Sequence, residues 1–126
     1  MEVPILKQGD YLIASILGAL TDTALTRLQE NLVHAVRKYR SKGVVIDVTV
    51  LDVMDSFAAR TLRSITVMTR LLGAKVVIVG IQPEIAFSMV QLGLRLEGTM
   101  TGLDLEDGIA LLRAAEKKDG LGNYGR

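Results

Sequence analysis

Two nearly continuous runs of β-branched residues limit what this 126-residue chain can fold into. Residues 44–48 read Val-Val-Ile-Asp-Val, and residues 76–79 read Val-Val-Ile-Val. Such runs are typical of strands that are covered on both faces, because a strand with one wet face alternates apolar and polar residues. The sequence therefore predicts a sheet with other elements packed against it.

Four segments have the three- and four-residue apolar spacing of amphipathic helices. They begin after Thr21, near Ser56, at Pro83 and after Asp104, and Gly43 is in the position expected just past the end of the first. The apolar stripe of the second helix is predicted to consist of Phe57, Leu62, Ile65, Met68 or Thr69, and Leu72.

The start of the chain predicts a β-hairpin, since residues 3–6 and 11–17 are apolar and Gln8-Gly9-Asp10 between them suits a turn. A weak segment at residues 99–101 is a candidate edge strand. Strands that alternate with helices predict a single compact α/β domain, with a mixed sheet of four to five strands packed by about four helices. We expect this domain to cover residues 1–117 and residues 118–126 to form a flexible tail.

The composition excludes several classes of function. The chain has no cysteine, hence no disulfide and no thiolate metal site, and its net charge of +1 gives no general attraction to nucleic acid or to an anionic membrane. The apolar run at residues 12–20 is too short to span a bilayer, and the first residues lack the basic start of a secretion signal. We expect a cytoplasmic protein without cofactor, nucleic-acid or membrane partners.

The residues give little support for catalysis or metal binding. The sole histidine, His34, lies off the apolar stripe of the first helix, without metal-binding neighbours at ligand spacing. Asp47, Asp52 and Asp55 surround the C-terminal end of a predicted buried strand, where α/β folds place ligands. A receiver-like or phosphatase enzyme using Asp47 and Asp52 is therefore an alternative. Both interpretations are weakened by residues that this chain does not have. A receiver domain would need an acidic pair at residues 15–20, and a phosphatase would need a second carboxylate in a D-x-D motif, where this chain has Asp47-Val48-Thr49.

Asp55 and Ser56 stand where the second helix is predicted to begin. The simpler interpretation is that one of them is the N-cap, which stabilises a helix by about 1 kcal/mol. The functional interpretation is that Ser56 accepts a phosphate, since free backbone amides and a positive helix end also favour that group. The two interpretations are compatible.

Several of these segments together resemble a known family. Val44-Val45-Ile46-Asp47-Val48-Thr49, Asp55-Ser56-Phe57 and Gly80-Ile81-Gln82-Pro83 are similar to the STAS domains of anti-sigma-factor antagonists. The sporulation members of this superfamily usually have Asp-Ser-Ser-Gly where this chain has Asp55-Ser56-Phe57. The phenylalanine favours the RsbS branch, which belongs to the bacterial stressosome.

The resemblance implies a phosphorylatable docking protein that is not an enzyme. It implies co-assembly with RsbR-type STAS paralogues, or self-association, and sequestration of an RsbT-type serine kinase that leaves when Ser56 is phosphorylated. An RsbX-type phosphatase would reset the serine, and Asp52, Asp55 and Phe57 would form part of the docking rim. The alternative within the superfamily is a sporulation-type antagonist that binds an anti-sigma kinase directly.

Overall fold

The computed structural model describes residues 3–124 of the chain, with side chains described up to residue 119. Five strands and four helices follow one another in it. The elements are β1 (Ile5–Gln8), β2 (Tyr11–Ser15), α1 (Asp22–Tyr39), β3 (Gly43–Asp47), α2 (Ser56–Leu71), β4 (Lys75–Val79), α3 (Pro83–Gln91), β5 (Met100–Gly102) and α4 (Leu105–Tyr124). The predicted edge strand is β5, one residue further along the chain than expected.

The strands form one mixed sheet in the order β1-β2-β3-β4-β5. The hairpin partner β1 is antiparallel to β2, and every other neighbouring pair is parallel. In-line parallel order requires each connection to cross over the sheet, and here each crossover contains a helix. The predicted α/β fold with a mixed sheet is confirmed.

Helices cover both faces of the sheet, as the β-branched runs predict. Alternate residues of the strands point to opposite faces, so that Val44 and Ile46 pack with α1, α2 and α3, whereas Val45 and Val77 pack with α4. Both faces of β3 and β4 are thereby removed from water. Three helices on one face and one on the other form a compact core.

The second helix buries most of the predicted stripe. Leu62 and Ile65 are buried as expected, and of the two alternatives Met68 and Thr69 it is Thr69 that is buried. Leu72 is exposed, and Thr66, which was not predicted to be buried, lies in the interior. The face of a helix that is buried is set by the neighbouring helix as well as by hydrophobicity, and here α1 packs along α2.

The first helix ends without the help of Gly43. Arg40 adopts the left-handed conformation at the C-cap, with φ of 49°, and its backbone N–H donates to the carbonyl of Arg37. Gly43 is the first residue of β3 instead, and Leu112 of α4 packs so closely on it that an added Cβ would lie 2.8 Å from that side chain. The glycine is explained by this close packing and not by helix termination.

The end of the chain was expected to be a tail from residue 118. In the structure α4 continues to Tyr124, and residues 125 and 126 lie outside the described part. The domain boundary at residue 117 stays a prediction. Among the described residues, no helix combines the length and apolarity that crossing a membrane requires.

Tyr11 makes the fold lose stability when the pH becomes strongly alkaline. Burial, reinforced by a hydrogen bond from its hydroxyl to the carboxylate of Glu116 on α4, raises the pKa of Tyr11 to about 12 from its usual value of about 10. The unfolded chain therefore loses this proton near pH 10, while the folded chain keeps it. The stabilisation is complete below pH 10 and is lost as the pH rises from 10 to 12.

We expect the free energy of unfolding to fall by about 1 kcal/mol more between pH 9 and pH 11 in the wild type than in Tyr11→Phe. Urea unfolding at a series of pH values measures this difference. The substitution removes the titrating group and keeps the ring. Parallel pH profiles of the two proteins would contradict the assignment.

Candidate functional site

The connection from β3 to α2, residues 48–55, projects from the edge of the sheet at which the parallel strands end. Leu51 and Met54 turn inward and are buried in the core. The residues between and beside them face outward, and Val53 is 62% exposed. Two buried anchors therefore hold the loop so that Asp52 and Val53 are presented to solvent.

Asp55 is the N-cap of α2. Its backbone is extended, and its carboxylate accepts a hydrogen bond of 2.8 Å from the backbone N–H of Ala58. The capping interaction satisfies one of the amides that the first helical turn leaves without a partner. Of the two cap candidates that the sequence offers, Asp55 performs the role.

Ser56 is the first residue of α2 and is exposed. Because Asp55 caps the helix, the serine hydroxyl is not needed for that purpose. It lies beside the positive end of the helix dipole, where a negative group is stabilised by roughly 0.3–1 kcal/mol. The position is thus exposed and lies at a helix end that favours a phosphate, while the nearby carboxylates of Asp52 and Asp55 oppose one through a repulsion that water screens.

The predicted docking rim lies on one loop and the helical turn that follows it. Asp52 and Asp55 are exposed, whereas Phe57 is half-buried. Exposed Val50 and Val53 lie in the same connection. The connection before Ser56 is therefore apolar as well as acidic, and Val50 and Val53 are the two residues that the predicted rim did not include.

Asp47 is engaged in a turn at the end of β3. One of its carboxylate oxygens accepts hydrogen bonds from the backbone N–H and the hydroxyl of Thr49, at 2.9 and 2.6 Å. The side-chain amide of Gln82 donates to the carbonyl of Thr49, which ties the turn to the start of α3. Gly80 passes close to the same threonine. Asp47 thus shapes the start of the loop that carries Asp52 and leads to Ser56.

A small apolar cavity of about 70 Å³ opens beside the cap, between α1 and α2. Leu20, Leu28, Met54 and Leu62 line it, and Asp55 lies on its boundary. These residues come from two helices and two loops, so the spacing of apolar residues along the sequence does not predict the cavity. A void of this size has room for little more than one side-chain fragment.

The remaining candidate residues do not join this site. His34 is exposed on α1, as predicted, and is not among the residues that line the cavity beside the cap. Among residues 3–119, whose side chains the structure describes, no three side chains of the kinds that bind metals come together in a way that would hold an ion.

Comparison with known proteins supports the resemblance seen in the sequence. The family model described as STAS domain matches residues 2–105. The chain is 36% identical over 97 residues to RsbRA of Bacillus subtilis strain 168, described as an RsbT co-antagonist protein. That match covers 77% of this chain and 35% of RsbRA, so the chain spans about a third of the length of the curated relatives it matches.

Solved structures extend the match to nearly the whole fold. A serine-to-glutamate variant of RsbS from Moorella thermoacetica superposes with a TM-score of 0.84 at 35% identity, covering 93% of this chain and 99% of that one. A chain of the stressosome, described as a signal integration and transduction hub, gives 0.77 at 35% identity, covering 90% and 98%. The anti-sigma factor antagonist SpoIIAA, at 11% identity and a TM-score of 0.67, shares the fold alone.

The close approach at Gly80 generates a stability prediction. Gly80 has a φ of 76°, and an added Cβ would lie 2.0 Å from the hydroxyl oxygen of Thr49. Gly80→Ala should destabilise the protein by about 2–5 kcal/mol, the sum of backbone strain and overpacking. Gly73→Ala is the control, because Gly73 also has positive φ but open space around it. It should cost about 1–2 kcal/mol. Equal losses of unfolding free energy in urea would contradict this prediction, because they would show that Thr49 moves away from the added methyl group at no cost.

The capping role of Asp55 generates a second stability prediction. Asp55→Ala removes the acceptor for the Ala58 amide and should lower the free energy of unfolding by about 1 kcal/mol. Asp52→Ala removes an equal charge three residues away on the exposed loop and should change it by less than about 0.5 kcal/mol. Thermal melts followed by circular dichroism compare the two. An effect of Asp52→Ala as large as that of Asp55→Ala would assign the stabilisation to charge and not to the cap.

Proposed function

The chain belongs to the STAS-domain family, and from this premise we propose that it is an RsbS-like component of a stressosome, one that binds an RsbT-type serine kinase and releases it when Ser56 is phosphorylated. The observation that carries the proposal is the exposed Ser56 at the first position of α2, in a chain 35% identical to RsbS over nearly its whole length. We further propose that RsbR-type paralogues are its partners in the assembly, a proposal that its sequence similarity to RsbRA supports.

The surface around Ser56 suits reversible binding of another protein. Val50 and Val53 offer apolar area, and half-buried Phe57 continues it into the first turn of α2. Asp52 and Asp55 supply charge at its border. An apolar centre with a polar border is the usual composition of a specific protein interface.

A phosphate on Ser56 would act on the partner more than on the fold. Phosphoserine adds a charge of about −1.5 to −2. The helix dipole and the solvent exposure of Ser56 allow the free domain to accept this charge. A kinase docked over Val53 and Phe57 would have to remove water from the same charge within an apolar contact, which is costly. Phosphorylation therefore favours release of the kinase, and an RsbX-type phosphatase would restore binding.

The proposed role requires no catalytic residue in this chain and places it in the cytoplasm with its kinase. The enzyme alternative needs Asp47 as a reactive carboxylate. The hydrogen bonds from Thr49 give Asp47 a structural role, which favours the docking protein. The sporulation-type alternative differs only in the kinase that is bound. Its relative SpoIIAA shares the fold at 11% identity, which carries no argument about partners.

Phosphorylation by a purified RsbT-type kinase with ATP tests the proposal. Ser56→Ala should lower phosphate incorporation at least about tenfold and keep the kinase bound in the presence of ATP. Ser56→Asp should weaken kinase binding about tenfold or less, equal to about 1.4 kcal/mol at most, because one carboxylate supplies only part of the phosphate charge. Mass spectrometry locates the phosphate, and gel filtration with the kinase measures retention.

Ser64→Ala is the matched control, since Ser64 lies on the same helix two turns away and is half-buried. It should be phosphorylated and should release the kinase like the wild type. Incorporation into Ser56→Ala at the wild-type rate, or kinase binding that is indifferent to the state of Ser56, would refute the proposed switch. Binding to an anti-sigma kinase but to no RsbT-type kinase would favour the sporulation-type function.

A further inference from the structure

The cavity between α1 and α2 has no part in the proposed release of a kinase. Its floor is apolar and buried, with Leu28 and Leu62 among the side chains that line it. Ala19, Val53 and Asp55 also line the cavity and are exposed, so they form its mouth. The cavity is therefore a pocket with an apolar interior that opens to solvent beside one carboxylate.

The size of the cavity limits what can occupy it. A cavity of about 150 Å³ holds a benzene ring, so one of about 70 Å³ has room for about three carbon atoms. An isopropyl group has this size, whereas an aromatic ring does not fit. Water is a poor occupant, because a buried water needs several polar partners and the lining side chains are apolar except for Asp55.

The mouth of the cavity is acidic. Asp55 accepts the cap hydrogen bond through Oδ1, which leaves Oδ2 for another donor. Among the side chains of residues 3–119, no basic group lies within ion-pair distance of Asp55 or of nearby Asp52. A cation at the mouth would therefore meet a carboxylate that has no other positive partner in this part of the chain.

We propose that this cavity binds a small aliphatic amine, with a branched alkyl end in the interior and the ammonium group beside the carboxylate of Asp55. The alkyl end leaves water for an apolar site of its own size. The ammonium group, which is protonated at neutral pH like the side chain of lysine, stays at the exposed mouth and keeps much of its hydration.

The binding is weak, because so few atoms take part. Burial of about three carbon atoms together with one exposed ion pair corresponds to a dissociation constant on the order of 10 mM. The site is therefore suited to a solute that accumulates in the cell and not to a trace signal.

A side chain of the kinase is the less favoured occupant. Pairing with Asp55 needs a cation at the mouth, and a phosphate on Ser56, one residue later, would strengthen the attraction for that cation. A kinase that phosphorylation releases would gain no such release from a cation placed there. The amine site goes beyond the proposed function, and binding to it requires neither Ser56 nor a kinase.

Three probes test the proposal, namely isobutylamine, isobutanol and isobutyrate, which share a carbon skeleton and differ in the charge of the head group. Each is titrated to about 100 mM at constant ionic strength, since a weak site fills only in this range. The methyl NMR signal of Met54, which lines the cavity, reports binding, and that of Met89, buried in the same core but not in the lining, is the reference. Isobutylamine should bind about threefold tighter than isobutanol and at least about tenfold tighter than isobutyrate.

Asp55→Asn separates the charge at the mouth from the cap, because asparagine caps a helix about as well as aspartate does. The substitution should weaken binding of isobutylamine about threefold and leave that of isobutanol unchanged. Asp52→Asn is the matched control, since Asp52 is exposed in the same connection but does not line the cavity. Its effect on isobutylamine should be less than about half as large.

Ala58→Leu fills the cavity from within, because Ala58 lines it and the longer side chain adds three carbon atoms. It should weaken binding of isobutylamine at least about tenfold, while thermal melts show a fold at least as stable as the wild type. Ala114→Leu is the control for the same substitution, since Ala114 is exposed on α4, which packs on the opposite face of the sheet. It should bind isobutylamine like the wild type.

A Met54 signal that stays fixed, or that moves in step with that of Met89, would overturn the proposal. So would equal affinities for isobutylamine and isobutyrate, or binding of isobutylamine that persists in a folded Ala58→Leu protein. If Ala58→Leu fails to fold, the comparison of head groups and the Asp55→Asn variant decide the outcome. Weaker retention of the kinase by Ala58→Leu, with no solute bound to the wild type, would assign the cavity to a side chain of the kinase and refute the amine site.

Discussion

The two-sided burial of β3 and β4 is the constraint on which the rest of this structure depends. Val44, Val45, Val76 and Val77 are fully shielded from water, so both faces of the sheet need helices. Covering both faces requires crossover connections, and those connections bring the starts of the helices to the edge where the strands end. The connection from β3 to α2, which ends at Asp55 just before Ser56, is part of one of these crossovers. The location of the candidate site is therefore a consequence of how the core is covered.

Much of this fold could be predicted from the sequence because its signals are local. The β-branched runs indicate buried strands, and Pro83 and Asp104 indicate helix starts. Pro83 is the first residue of α3, and the side chain of Asp104 accepts from the backbone N–H of Asp107 as a cap does. The start of α2 at Ser56 follows from the same kind of signal. The start of a helix is determined by a few neighbouring residues, so it can be recognised directly in the sequence.

The features that escaped prediction depend on residues distant along the chain. Gly43 suits a helix end by position, yet its lack of a side chain accommodates Leu112, which is about 70 residues later. Thr66 is buried, which its polarity does not indicate, and spacing alone did not decide that Thr69 and not Met68 would be buried. The turn at Thr49 involves Gly80 and Gln82, which lie in the connection between β4 and α3. Pairings of this kind are decided by tertiary packing, and a local pattern does not contain them.

The division of labour between Asp55 and Ser56 has a consequence for the lifetime of the protein in a cell. Since the cap belongs to Asp55, the proposed phosphate on Ser56, one residue later, would leave the N-cap hydrogen bond of α2 in place. The fraction of unfolded chains, which proteases and chaperones act on, would then change little between the two proposed states of the serine. A protein of this design would pass through many rounds of modification with little change in its own abundance.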